Sequence, residues 1–556
     1  MRVKLSQETS YPPDLQLASR DLSFARRQRA GLAELIEIAV STAAAEPLQA
    51  ERTVAPAQRS RDPRAPWARF ARPPWPLVAI LLAQAALSLR LVWTNTAFAD
   101  EALYLWSGHL EWTDWLHGYA LPNFPSYFSG APIVYPPLSA LADTYGGLAG
   151  ARILSLTFMI LATCALYGTG TRVFSRRAGL FGAGLFAGGA ATQFLGAFAT
   201  YDAMALMLLA AAVWLSVRSA TCQYLLTRLG LLMTAGLAMA LADATKYAAT
   251  LFDPVVIAIG ALMVWRTRGK AAGAAAGLTI FAVTVIAITA AIKIGGPQYW
   301  RGISYTTLSR AHGTSSPVGI VADSLGWAGL TALLAVFGVA TVFVTRAPLP
   351  QRLLACVLAG AVALGPANQA RIHVFTSLFK HVGFGAWFAA VVGGYALAAL
   401  AYAVPKVKRR GATLASAAAV CLCTVVGLLL AQTHFLSWPD TTRFTAVLRA
   451  PLADRPGNVL ADEGNVIQYY LPRQADNSLF YGNGSFSYQH LTGMPAYAAA
   501  IQHQFFTVIA LSFSGSQSTD QQLSRYIVSS GDYRLAATIP YELSGKQSAF
   551  RIWTAR

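Results

Sequence analysis

Apolar and polar residues alternate along this chain in long blocks rather than at the period of a strand or an amphipathic helix. From Trp75 onward, apolar runs long enough to cross a bilayer recur, separated by short polar connections. The runs fall at 75–93, 150–170, 179–198, 203–219, 229–245, 247–265, 271–294, 321–344, 352–368, 383–404 and 412–432, which predicts about 11 membrane helices. Before them lies a polar, Arg-rich stretch, residues 1–72, with clumps such as Arg26-Arg27-Gln28-Arg29. It reads as a largely disordered cytoplasmic tail without the layout of a secretory signal, unless translation starts further along. After the last run, residues 433–556 have mixed character. Asn458-Val459-Leu460-Ala461, Phe506-Thr507-Val508-Ile509-Ala510 and Tyr526-Ile527-Val528 suggest strands between helical patches, hence a small α/β domain.

Composition agrees with the block pattern. Of 556 residues, 55% are hydrophobic and only 12% charged, against roughly a quarter charged in a soluble domain. The formal net charge is +18, from 43 Lys and Arg against 25 Asp and Glu. The basic residues sit in short clumps between apolar runs, not on one folded basic surface, which argues against a nucleic-acid binder. With the N-terminus inside, the connections expected to be cytoplasmic carry Arg172, Arg176 and Arg177; Arg218 and Arg228; Arg266, Arg268 and Lys270; Arg346 and Arg352; and Lys406, Lys408, Arg409 and Arg410. Each is basic, as the positive-inside rule requires. The expectation is a multi-pass plasma-membrane protein with a membrane domain over 73–432. The outside then receives a long first loop (94–149), a shorter loop near 295–320 and the C-terminal domain. The five cysteines lie in or beside apolar runs, so no disulfide framework is implied, and Cys421 and Cys423 read as small buried residues.

Candidate chemistry gathers on the expected outer side. Asp100 and Glu101 follow the first run, in Ala99-Asp100-Glu101-Ala102-Leu103-Tyr104, and Tyr135-Pro136-Pro137-Leu138 closes the same loop. Tyr201-Asp202 occupies the tip of the next outer turn, where an acid in an apolar setting is costly without a partner or a task. Lys246 stands at the third outer turn, either pairing with Asp243 three residues earlier or free to meet an anion. Arg90 lies near the outer end of the first run, able to reach an anion, to pair with Asp100, or simply to snorkel to the headgroups. Arg371, His373, Lys380 and His381 form a basic cluster that breaks the inside-positive trend; an anionic carrier or acceptor, or lipid headgroups, would account for it. Asp253, followed by Pro254 within an apolar run, marks a possible helix break. Tyr104, Tyr135, Tyr201 and Trp106 either stack on a sugar or belong to the interfacial aromatic belt. Asn483-Gly484-Ser485 fits a glycosylation acceptor pattern as a single match.

In that order, an acidic pair after the first run, Tyr-Pro-Pro, Tyr-Asp and then Lys resemble the GT-C glycosyltransferases. The nearest branch holds the protein O-mannosyltransferases and the lipid A aminoarabinose transferase, and the likeness covers residues 75–430. The resemblance implies a helical membrane enzyme, a hexosyl- or pentosyltransferase, that inverts the anomeric carbon. It would move a sugar from a polyprenyl-phosphate carrier to a glycolipid, polysaccharide or protein acceptor. It implies Asp100 as general base, Glu101 and Asp202 as shaping the site, and Lys246 against the carrier phosphate. Tyr104, Tyr135, Tyr201, Arg90, Arg371, Lys380 and His381 are the further substrate-binding candidates. No cofactor is expected; a divalent cation on Asp100, Glu101 and Asp202 is the alternative, as in the oligosaccharyltransferase relatives. The rival functions are a transporter or flippase of lipid-linked sugar, which predicts repeat symmetry between halves, and a non-catalytic membrane scaffold.

Overall fold

A computed structural model describes residues 75–310, 312–403, 408–482, 486–514, 517–543 and 545–556. The basic tail at 1–72, Lys406 and the Asn483 acceptor pattern lie outside the described residues. The helices are α1 (Trp75–Val92), α2 (Ala99–His117), α3 (Tyr135–Val173), α4 (Arg176–Gly188), α5 (Ala190–Leu195), α6 (Tyr201–Ser219) and α7 (Leu225–Thr245). They continue as α8 (Asp253–Arg268), α9 (Lys270–Gly295), α10 (Pro297–Ile303), α11 (Pro317–Val344), α12 (Leu349–Gly360), α13 (Leu364–Arg371), α14 (Leu378–Ala403) and α15 (Arg409–Phe435).

Among the described residues, 10 helical stretches are long and apolar enough to span a bilayer. The run expected as a continuous span at 179–198 is the one that differs. It is broken at Gly189, whose ψ of 147° is extended, into α4 and α5. Helix α15 forces the break by close approach: a Cβ on Gly188 would lie 2.2 Å from Thr424 Oγ1, and one on Gly427 2.1 Å from the Gly188 carbonyl. Gln193 Nε2 donates to that carbonyl at 2.7 Å, replacing the lost helical bond.

The expected outer loop 94–149 is largely helical. Its first part is α2, and its end is already α3, which begins at Tyr135 and bends where Gly147 adopts φ +59°. Pro136 and Pro137 sit in the first turn of α3, where a missing N–H costs nothing. At the opposite end of the bundle the basic connections meet: Arg266 donates to the Val173 carbonyl at 2.9 Å and Arg268 to that of Cys222. Arg218 lies in the last turn of α6, about 26 Å along the helix from Tyr201.

The C-terminal residues form a second unit with its own core. Helix α16 (Thr442–Asp454) leads into β1 (Asn458–Ala461), α17 (Gly464–Tyr470), α18 (Pro472–Ala475), β2 (Leu479–Tyr481) and a small hairpin, β3 (Ser487–Tyr488) and β4 (Leu491–Thr492). Then follow α19 (Met494–Gln502), β5 (Val508–Leu511), α20 (Gln517–Ser530), β6 (Tyr533–Leu543) and β7 (Lys546–Ala555). The sheet order is β2-β1-β5-β7-β6, with β1 parallel to β2 and β5 and the β6–β7 pair antiparallel. Two expected strands are found. The third, at Tyr526-Ile527-Val528, is instead helix α20: Leu523 and Ile527 are buried four residues apart while Val528 is exposed, a helical spacing.

Candidate functional site

Four charged side chains from four separate helices or their ends form one chain. Asp100 occupies the first turn of α2, and Asp202 the first turn of α6, so both carboxylates stand at helix N-termini, where the dipole favours negative charge. Lys246 follows α7 in extended backbone, ahead of a 3₁₀ turn at Tyr247–Phe252, and Lys380 lies in the first turn of α14. Lys380 Nζ is 2.6 Å from Asp100 Oδ2 and 4.0 Å from Asp202 Oδ2. Lys246 Nζ is 2.6 Å from Asp202 Oδ1. The order is therefore Asp100, Lys380, Asp202, Lys246, two acids and two bases. Such burial is tolerable only because every charge is matched. Three of these side chains are 3% exposed or less, whereas Asp100 is 23% exposed. Of the four, Asp100 alone opens to solvent.

Aromatic rings wall this chain. Tyr104 and Tyr201 lie 4.6 Å apart between centroids, and Tyr135 stands edge-on to both. Lys246 Nζ is 4.7 Å from the centre of the Tyr201 ring, and Lys380 Nζ sits 5.8 Å from both Phe198 and Phe379. Those ring faces stabilise the ammonium groups where water is excluded. His381, 7% exposed, joins the same wall. Its Nδ1 accepts a bond from Gln369 Nε2 at 2.8 Å.

The remaining candidates are placed elsewhere. Glu101, fully buried, spends its carboxylate on structure. It accepts from Arg152 Nε and Nη2 at 2.9 and 2.7 Å, from the Ala199 N–H at 2.8 Å and from the Phe98 N–H at 3.1 Å. Arg152 in turn donates to the carbonyls of Val92, Asn95 and Thr96. The pair ties the end of α1 to the start of α2, and the Glu101 carboxylate does not join the chain of four charges. Arg90 pairs not with Asp100 but with Gln432, Gln193 and the Leu428 carbonyl, bracing the broken α4–α5 span. The basic cluster divides. Lys380 and His381 turn inward, whereas Arg371 is exposed and bonds Asn368, and His373 Nδ1 lies 3.1 Å from the Ser315 carbonyl. Lys246 bonds Asp202, not Asp243, whose carboxyl instead meets that of Asp253 across the helix break. Trp106 stacks edge-on against Phe124.

The side chains present do not fit a divalent cation. Glu101 has no free oxygen, an ammonium stands between Asp100 and Asp202 where the ion would sit, and no group of three His, Cys, Asp or Glu suited to a metal occurs among the described residues.

No family model and no curated protein sequence matches the chain. Solved structures do. ArnT from Cupriavidus metallidurans, bound to undecaprenyl phosphate, aligns with a TM-score of 0.56 and 13% identity over 85% of this chain and 97% of that one. The Archaeoglobus fulgidus oligosaccharyltransferase in its apo form gives 0.56 and 11% over 85% and 74%. The arabinofuranosyltransferase AftD from Mycobacteria gives 0.50 and 14% over 85% and 40%. All three are GT-C glycosyltransferases. A bundle of membrane-spanning helices closed by a C-terminal sheet unit, aligned along most of its length with these enzymes, has the GT-C fold.

Proposed function

We propose that this chain is a membrane glycosyltransferase that moves a sugar from a polyprenyl-phosphate carrier to an acceptor hydroxyl, with Asp100 as the general base. The observation that carries this reading is the exposure of Asp100 at the open end of an otherwise buried chain of matched charges. A carboxylate paired with Lys380, yet open to solvent, can take a proton from an incoming hydroxyl. The acceptor oxygen then attacks the anomeric carbon from the face opposite the phosphate. The C–O bond to the phosphate breaks, its electron pair stays on the phosphate, and the configuration inverts.

The departing polyprenyl phosphate needs positive charge where its negative charge builds up. Lys246 and Lys380 supply it, each released in part from Asp202, which balances both before substrate enters. Tyr104 and Tyr201, buried against each other, wall the site beside the Lys246 ammonium. ArnT was solved with undecaprenyl phosphate and the Archaeoglobus enzyme with dolichol phosphate, so a carrier of this chemical class suits the shared fold. The basic connections meet at the end of the bundle away from Asp202, which supports an orientation with the site and the C-terminal unit outside the cell.

The test is to incubate the protein, purified into lipid nanodiscs, with a panel of labelled polyprenyl-phosphate sugars. Consumption of one donor, with release of polyprenyl phosphate, is expected. Consumption of none, with acceptor extracts present, contradicts the reading.

A further inference from the structure

The first turn of α2 carries Asp100, yet part of what holds α2 belongs to the C-terminal unit. Helix α17 lies across α2 and α3, with Val466 buried against Ala97 and Ala102. Its last two residues each make one hydrogen bond into the membrane domain. The Ala97 N–H, three residues ahead of Asp100, donates to the Tyr470 hydroxyl at 2.9 Å. The Tyr469 hydroxyl donates to Asp143 Oδ1 of α3 at 2.6 Å, and Asp143 Oδ2 lies 2.7 Å from His109 Nε2 of α2. Asp100 and His109 stand nine residues apart, about 13 Å along the helix. Thus α2 is gripped at its start by Tyr470 and again beyond Asp100, through Asp143, by Tyr469.

From this arrangement we infer that Tyr469 and Tyr470 are positioning residues: docking of the C-terminal unit through them sets where Asp100 stands relative to Lys380 and the acceptor. The inference rests on the role proposed for Asp100. An ion pair of 2.6 Å has little slack, and misplacement of a reacting group by 1 Å can cost about 100-fold in rate. Two fixed points constrain both the depth and the tilt of a helix, whereas one leaves the tilt free. The Tyr469 phenol is pushed well above its ordinary range, first by burial and then by the Asp143 carboxylate, so it stays a donor. Gly147, with φ +59°, bends α3 just after Asp143.

The experiment uses full-length protein in nanodiscs and the variants Tyr469→Phe, Asp143→Asn and the double variant, with Tyr470→Phe as a second break in the grip. Each single change is expected to lower kcat by about tenfold at unchanged donor KM, and the double Tyr469→Phe/Asp143→Asn to fall no further than the singles. In parallel, Asp100→Cys in a background free of the native cysteines is labelled with a water-soluble maleimide. The labelling rate should change severalfold when Tyr469→Phe is added. Parental kcat in Tyr469→Phe, additive losses in the double variant, or an unaltered labelling rate overturns the inference. If the parent consumes no polyprenyl-phosphate sugar while the labelling rate still responds, the function proposed above fails and the positioning of residue 100 stands.

Discussion

Lys380 Nζ lies 2.6 Å from Asp100 Oδ2, a bond between residues 280 positions apart in sequence. It joins α2 to α14 and, through the second carboxylate 4.0 Å away, to α6. Replacing this lysine by methionine keeps the volume and removes the charge. Two carboxylates would then share the single ammonium of Lys246. Removing one partner from a buried charge network costs about 3–5 kcal/mol. Lys380→Met should therefore lower the thermal midpoint in nanodiscs and abolish donor turnover, as read by differential scanning fluorimetry and by release of polyprenyl phosphate.

A complementary prediction concerns Asp202 and Lys246, whose side chains are 0% and 3% exposed. Asp202→Asn leaves Lys246 without its close partner, and Lys246→Met leaves Asp202 dependent on the more distant Lys380. Each should destabilise the protein by about 3–5 kcal/mol, but the double variant by clearly less than the sum. A strictly additive result in denaturant unfolding would show that the two side chains do not interact.

Much of this site could be read in the sequence because acids in apolar turns are expensive. Asp202 stood out for that reason, and Asp100 and Lys246 by their places at the outer ends of apolar runs and by the family resemblance; the fold brings all three into one chain. Their pairing was not legible. The nearby Asp243 was the obvious partner for Lys246, yet Lys246 stands at the extended junction after α7 and bonds Asp202 on the preceding helix. Lys380 was grouped with Arg371 by proximity along the chain, but the backbone between them reverses, with His373 and Ser377 both at positive φ, so their side chains part. The broken span was hidden by length and hydropathy, both of which suit a continuous helix over 179–198. Its signal was the Gly188-Gly189 pair, where α15 packs against backbone. Helix α2 was taken as loop because it lies between two apolar runs of bilayer-spanning length and is not itself one. Its N-terminal signature is Glu101, at the third helical position, reaching back to the Phe98 N–H.

A pH dependence follows from the C-terminal unit. Glu463, just ahead of α17, is pushed up to about 7 from 4.5, first by burial and then by the charge of Asp462. The folded state therefore holds a proton that the unfolded chain has lost between those two values. The stabilisation is complete below 4.5 and disappears as pH rises through about 7. Unfolding of the full-length protein should show stability falling across this window, and Glu463→Gln should flatten that slope. A slope of the same size in Glu463→Gln would assign it to another group.

The central claim is that Asp100 takes the proton from the acceptor. It is tested most directly by comparing donor binding and single-turnover transfer in the parent and in Asp100→Asn, with the donor that the parent consumes. The account predicts donor affinity within about threefold of the parent and a transfer rate lower by a factor of about 100 to 10,000. Transfer at the parental rate with Asn at position 100 would contradict it.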